Sequence, residues 1–338
     1  MKVDFKSKKM LVGLIILGVV TAVLAVLGTR TFLNSSQVAT ETLEQVGKRL
    51  SPGFDFTNEQ KAAANPLFVK LRSGGPPKDG IPSVDNPKFE SAQDVNIWLK
   101  PDDLVLGFNY RGEARAYPLR ILNWHEIVND KVADDAVLIT YCPLCFTGIA
   151  FSRVVDGQEV EFGTSGKLIN SNLVMYDRAS DSLWTQLGGE AIIGPNVGKK
   201  LTQLPADTVT WSEWQAAHPE TKVLSKDTGF SRDYSANPYE GYEQSRDTFG
   251  TEFSDNRLHP KAKIFGVELS GKFKAYPEDL LINYGKITDN FAGQAIAITR
   301  DKTGKVRVFN KTTGVEIVPT ISYWFAWVSF HPETELAK

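Results

Sequence analysis

Apolar positions along most of the chain fall into short runs of period two, broken by glycine, proline and acidic or amide turns. VLGFNY (105–110) and EARAY (113–117) alternate around Arg111-Gly112 and predict a β-hairpin. The period changes after Tyr117-Pro118. Ile121, Trp124 and Val128 carry helical spacing through LRILNWHEIV. AVLIT (136–140) is a continuous apolar run and predicts a buried strand. WSEWQAA (211–217) predicts a short amphipathic helix that stops before His218-Pro219, because proline pushes its predecessor out of the helical region. LVMY (173–176) and SLWTQL (182–187) flank DRASD and predict a second hairpin, and NEQKAAAN (58–65) a short helix.

The pattern repeats. Residues 105–140 align without a gap on 264–299, with 11 of 36 positions identical, among them both Ala-Tyr-Pro triplets. TWSEWQAAHPETKVL (210–224) then aligns with YWFAWVSFHPETELA (323–337) at a smaller offset. The first copy therefore carries 46 extra residues, expected at roughly 162–207 and strand-like. The expected fold is α+β and mostly β, built of two related halves at about 95–225 and 255–338 within a globular domain over 74–338.

The N-terminus breaks the pattern. Met10 to Gly28 holds no charge, and nineteen helical residues reach roughly 28 Å, close to the ~30 Å hydrocarbon core. Lys2, Lys6, Lys8 and Lys9 precede this run. Residues 1–30 therefore read as a single-pass signal anchor with the N-terminus cytoplasmic and the bulk periplasmic or extracellular. A cleavable signal peptide is the rival reading. Residues 31–73 read as a stalk, closed by the Pro/Gly-rich SGGPPKDGIPSVDNP (73–87). Beyond residue 30 the chain carries 33 basic and 39 acidic residues and no basic cluster, which argues against nucleic acid as a partner.

Candidate chemistry concentrates in VLITYCPLCFTGIAFS (137–152), which holds both cysteines of the chain, Cys142 and Cys145. Cys142-Pro143-Leu144-Cys145 suits a type I turn between strands rather than the helix N-terminus that activates thioredoxin-type thiols. Closing so short a loop would add only about 2 kcal/mol, so a purely structural disulfide is a weak reading. The repeat supplies a control, because His125, Cys142 and Cys145 face Tyr284, Asp301 and Gly304. The second half omits all three, as expected if they form one site. His218 and His331 recur in both copies and read as structural. Three functions follow. The first is a soft-metal site for copper or zinc with Cys142, Cys145 and His125 as ligands and Met175 as a possible fourth, implying a metal-delivery partner. The second is thiol–disulfide exchange by Cys142 and Cys145 with a redox partner. The third is a small-ligand or partner-binding module in which the cysteines are structural. GTSGK (163–167) lacks the spacing of a phosphate loop. Asp177 and Arg178 read as the cap of the DRASD turn.

GIPSVDNPKF, LNWHEIVND, TYCPLCFTGIAF, FGTSGKLINSNLVMYDRASDSLW and the helix ending in HPET together resemble the prokaryotic domain-of-unknown-function family 3179, over about residues 74 to 335. The resemblance implies an exported or membrane-anchored domain and no particular activity. The motif positions that it emphasises are Asn123, His125, Cys142, Cys145, Lys167, Met175, Asp177 and Trp184.

Overall fold

The computed structural model describes residues 41–50 and 55–338. The signal anchor expected at 1–30 lies outside the described residues, and among those described no helix is long and apolar enough to cross a membrane. The fold is mostly β, a propeller-like ring of five sheets or blades.

Each half contributes two blades in the same order. Blade I pairs Leu104–Tyr110 with Glu113–Pro118, flanked by Asp207–Thr210, Lys222–Leu224 and Phe89–Ser91. Blade II holds Ile127–Val132, Asp135–Cys142, Thr147–Ser152 and Gln203–Leu204. The second half rebuilds both. Blade IV contains Lys263–Leu269, Lys272–Pro277, Thr320–Tyr323 and Glu335–Leu336. Blade V contains Lys286–Phe291, Gln294–Arg300, Val306–Asn310 and Glu316–Ile317. The predicted helix after Tyr117-Pro118 forms over Leu119–His125 but stops short of Val128, because Glu126 turns left-handed at φ 58° and Ile127–Val132 is already a strand. Trp211–Ala217 forms as expected, and both helices recur at Glu278–Tyr284 and Trp324–Phe330.

Blade III is the insertion, with strands Phe162–Ile169, Asn172–Asp177, Leu183–Thr185 and Ala191–Ile193. Its C-terminal boundary lies earlier than the sequence alignment put it. Gln203–Leu204 and Asp207–Thr210 already belong to the repeat, because they pair with blades II and I as Glu316–Ile317 and Thr320–Tyr323 pair with blades V and IV. The expected stalk also differs. Leu71–Ser73 adds an edge strand to blade III, and Val46, Leu50, Phe56 and Phe68 bury against Ile169, Val174 and Ile192. Their apolar spacing gives this segment a packing face, which its polar average conceals. Of NEQKAAAN, only Gln60–Ala62 is helical, as one 3-10 turn.

The repeated residues have packing causes. A Cβ on Gly107 would lie 2.2 Å from the Trp214 ring, and one on Gly266 2.3 Å from Trp327. Each indole lies flat against a glycine strand. Burying an indole removes roughly 200 Å² from water, an upper bound of about 5 kcal/mol, so the missing methyl is the cheaper loss. Trp214 and Trp327 donate their N–H to Thr221 and Thr334 of HPET at 3.0 and 2.9 Å. His218 and His331 stand at the helix C-caps, with ring centroids 4.1 and 4.3 Å from those indoles. The tyrosine of each Ala-Tyr-Pro triplet, Tyr117 or Tyr276, donates to Asp130 or Asp289 on the next strand.

Candidate functional site

The Asp135–Cys142 strand of blade II ends at the cysteine turn, and Cys142 pairs with Thr147 across it. The Cys145 N–H donates to the Cys142 carbonyl at 3.2 Å and closes the turn. Phe146 follows at φ 54°, a left-handed position where a metal knuckle usually has glycine, and its ring stacks on Tyr323 of blade IV at 5.3 Å. The Tyr323 N–H donates to the Cys145 carbonyl at 2.8 Å. Blade III closes the third side. Its Asn170-Ser171 turn brings the Ser171 carbonyl to 3.5 Å from Cys142 Sγ. Beneath it, Thr147, Asn172 and Gln186 form a buried network, with Asn172 Nδ2 and Thr147 Oγ1 each donating to Gln186 Oε1 at 2.7 Å. The turn is therefore clamped by three blades, and a buried, satisfied network rigidifies what it supports.

Both cysteines are free thiols and buried. Burial by itself raises the Cys142 pKa. The neighbouring Cys145 thiol and the backbone of Leu173, Cys145 and Leu144 outweigh it and bring Cys142 below the ordinary thiol value. Cys145 moves the other way, raised well above that value by burial and by the Cys142 thiolate, against the pull of Asn172 and Lys261. Cys142 thus ionises first. Burial lowers Lys261 to about 8, opposed by Asp247 and Cys145, and its ammonium sits 3.5 Å over the Tyr242 ring.

A cavity of about 370 Å³ opens beside the turn, lined by Tyr141, Pro143, Phe146, Tyr239, Tyr242 and Tyr323 among others. Its outer wall comes from the 225–262 segment, which joins the two halves and contains no helix or strand. This strap is held by three consecutive helix residues. Asn123 Nδ2 donates to Asn237 Oδ1 and Trp124 Nε1 to the Ala236 carbonyl, both at 3.3 Å. His125 is fully buried, with Nδ1 2.7 Å from the Pro82 carbonyl and Nε2 2.7 Å from the Tyr234 hydroxyl. The carbonyl can only accept, so Nδ1 carries the proton and Nε2 accepts from Tyr234. Burial holds the His125 pKa below its ordinary value, partly opposed by Pro82 and reinforced by Arg232.

The structure therefore brings Cys142 and Cys145 together and gives His125 a different task. Both of its ring nitrogens already have partners, and neither partner is a thiol. Among the described residues no group of three or more His, Cys, Asp or Glu side chains is placed to hold a metal ion. Met175 is fully buried in blade III, opposite Trp184 in register. Asp177 caps its turn as expected, accepting from Ser180 N at 2.6 Å and from the buried Trp184 Nε1 at 2.9 Å. Arg178 reaches elsewhere, to Asp85 and Glu161 at 2.8 Å each. Lys167 lines a separate cavity of about 510 Å³ with Ser165, Tyr176 and Lys78, to which neither cysteine contributes.

Sequence reasoning missed Glu126, Tyr234, Tyr239, Tyr242 and Lys261. The strap residues lie in the unrepeated linker, where no copy exists to compare. Glu126 left a visible signal, because it faces Gly285 in the sister half.

The fold and site define a five-bladed, propeller-like β protein with a buried dithiol turn under a tyrosine-rich strap. The family described as "Protein of unknown function (DUF3179)" matches residues 78–334, and the chain belongs to that family. No curated protein and no solved structure matches the chain.

Proposed function

We propose that the protein performs thiol–disulfide exchange, with Cys142 as nucleophile and Cys145 as its partner. One observation carries this reading: two free, buried thiols share one hydrogen-bonded turn three residues apart, next to a cavity walled by aromatic side chains. The thiolate is the form that attacks a disulfide. The neighbouring cavity offers aromatic walls to a peptide or small disulfide. Access to the buried sulfur needs the strap to lift, and its lack of regular structure makes that motion inexpensive. Metal binding has less support, since His125 is turned to the strap and no third His, Cys, Asp or Glu joins the two thiols among the described residues. The experiment is trapping. Cys145→Ser, incubated with a peptide disulfide, accumulates a mixed disulfide on Cys142, read by mass spectrometry of the digested protein. Cys142→Ser accumulates none. An adduct on neither variant removes the proposal.

A second reading rests on a separate observation. Arg120 Nε and the Tyr242 hydroxyl, both on cavity-lining residues, are buried without a hydrogen-bond partner. They suit a small ligand with an apolar body and hydrogen-bond acceptors.

A further inference from the structure

We propose that the Asn170-Ser171 turn is a redox-sensitive latch: it holds the strap closed over the reduced dithiol and releases it when Cys142 enters a disulfide. The latch deepens the thiol–disulfide reading of the site, on which it rests for the step that trips it. Ser171 touches both parts. Its carbonyl accepts the Cys142 S–H at 3.5 Å. Its hydroxyl donates to the Thr248 carbonyl and lies 2.5 Å from Thr251 Oγ1, both on the strap. A hydroxyl has one proton to give, so Thr251 is the donor in the second bond. The strap end is itself a closed turn. Thr251 N–H donates to the Thr248 carbonyl at 3.2 Å, and Thr248 Oγ1 to the Thr251 carbonyl at 2.6 Å.

The backbone makes serine a costly choice at this position. Asn170 and Ser171, at φ 49° and 63°, join Phe162–Ile169 to Asn172–Asp177 in a two-residue hairpin. Two left-handed residues in succession match a type I′ turn, whose second position favours glycine. Serine there carries strain that glycine would relieve. Ser171 is nevertheless buried, and its hydroxyl is spent on the strap. Asn170 is anchored elsewhere, with Nδ2 donating to the Ser329 carbonyl of Trp324–Phe330 at 2.8 Å. That bond fixes one turn residue and leaves Ser171 to respond. The same contact joins three features without a copy in the second half: Cys142, which faces Asp301, the inserted blade and the strap.

In a full exchange the Cys142 and Cys145 thiols meet R–S–S–R′. One S–S bond forms between the two cysteines and the substrate S–S bond breaks. RSH and R′SH leave with both protons and two electrons. Cys142 then has no S–H, and the Ser171 carbonyl loses this donor inside a buried site. An acceptor stripped of its partner there is costly, and rotation of the strained Ser171 peptide relieves it. The rotation withdraws Ser171 Oγ from Thr248 and Thr251. The strap opens over the oxidised site, where a reducing partner must reach it. The coupling is reciprocal: a closed strap favours the dithiol, so loosening the latch favours the disulfide.

The test is hydrogen exchange on the full chain, read by mass spectrometry over strap residues 245–252, in reduced protein and in protein oxidised with diamide. In the wild type the strap exchanges about tenfold faster or more in the disulfide form. Ser171→Gly keeps the carbonyl, relaxes the turn and removes the tether, while Thr251→Val removes the strap hydroxyl. In both variants strap exchange is fast and equal in the two states. The Cys142–Cys145 midpoint falls by about 30 mV for each tenfold of coupling lost. Equal strap exchange in both states of the wild type would overturn the latch, as would a redox difference that both variants retain. Trapping on Cys145→Ser scores the exchange reading separately. An adduct without a redox difference in the strap removes the latch and leaves the exchange. A redox difference without an adduct removes the exchange and leaves the latch. A disulfide that diamide cannot form removes both.

Discussion

His125, expected as a thiol-side ligand, spends both ring nitrogens on Pro82 and Tyr234. The sequence marked it because the second half lacks it, and the structure explains that lack, since no strap crosses the equivalent surface. Tyr284, its counterpart, is 71% exposed. His125→Ala leaves the Pro82 carbonyl without this partner and the Tyr234 hydroxyl with Thr228 alone, and we expect a stability loss of about 1–3 kcal/mol. Limited proteolysis should then cut within 228–244, and Cys142 should alkylate several-fold faster. Unchanged cleavage and alkylation would detach the strap from this residue. The pH dependence has a definite sign. The folded pKa of His125 lies below the unfolded value of about 6.5, so the unfolded chain binds the extra proton first. The stability that neutral His125 supplies is present above pH 6.5 and lost as pH falls below it. The urea-unfolding gap between wild type and His125→Gln should narrow over that range; a widening gap would reverse the assignment.

Elements were legible wherever the chain repeats itself. The Ala-Tyr-Pro hairpins and both W-to-HPET turns form where the spacing predicts, because each identical residue has one packing duty in both halves. The helix after the first hairpin forms but ends at His125, before Val128. Gly266 lies under the Trp327 ring as Gly107 lies under Trp214. Gly266→Ala must push that indole off the strand, and we expect a loss of about 2 kcal/mol in urea unfolding. An unchanged midpoint would show that the ring moves freely. The strap was not legible. Its side chains act only through tertiary contacts, and a segment without periodicity gives no local sign of what it covers. The expected stalk failed for a related reason, since its few apolar residues matter only once blade III is there to receive them.

At the scale of the molecule, two copies of a two-blade unit and one inserted blade surround a single dithiol turn. The proposed function rests on the asymmetry between copies. The first half has Cys142 and Cys145, the second supplies Tyr323, and the strap between the halves supplies Tyr239, Tyr242 and Lys261. The number of blades was hidden in the sequence, because a blade is a set of pairings between distant strands. The cysteine turn was visible, but its surroundings depend on the Asn170-Ser171 turn of the inserted blade, whose Ser171 carbonyl lies 3.5 Å from Cys142 Sγ. The most direct test of the central claim is a redox titration of the full chain in graded glutathione buffers, with the Cys142–Cys145 disulfide quantified by mass spectrometry. Reversible formation of that disulfide, with a midpoint above about −300 mV, is the predicted result. Two thiols that stay reduced across the whole range would contradict it.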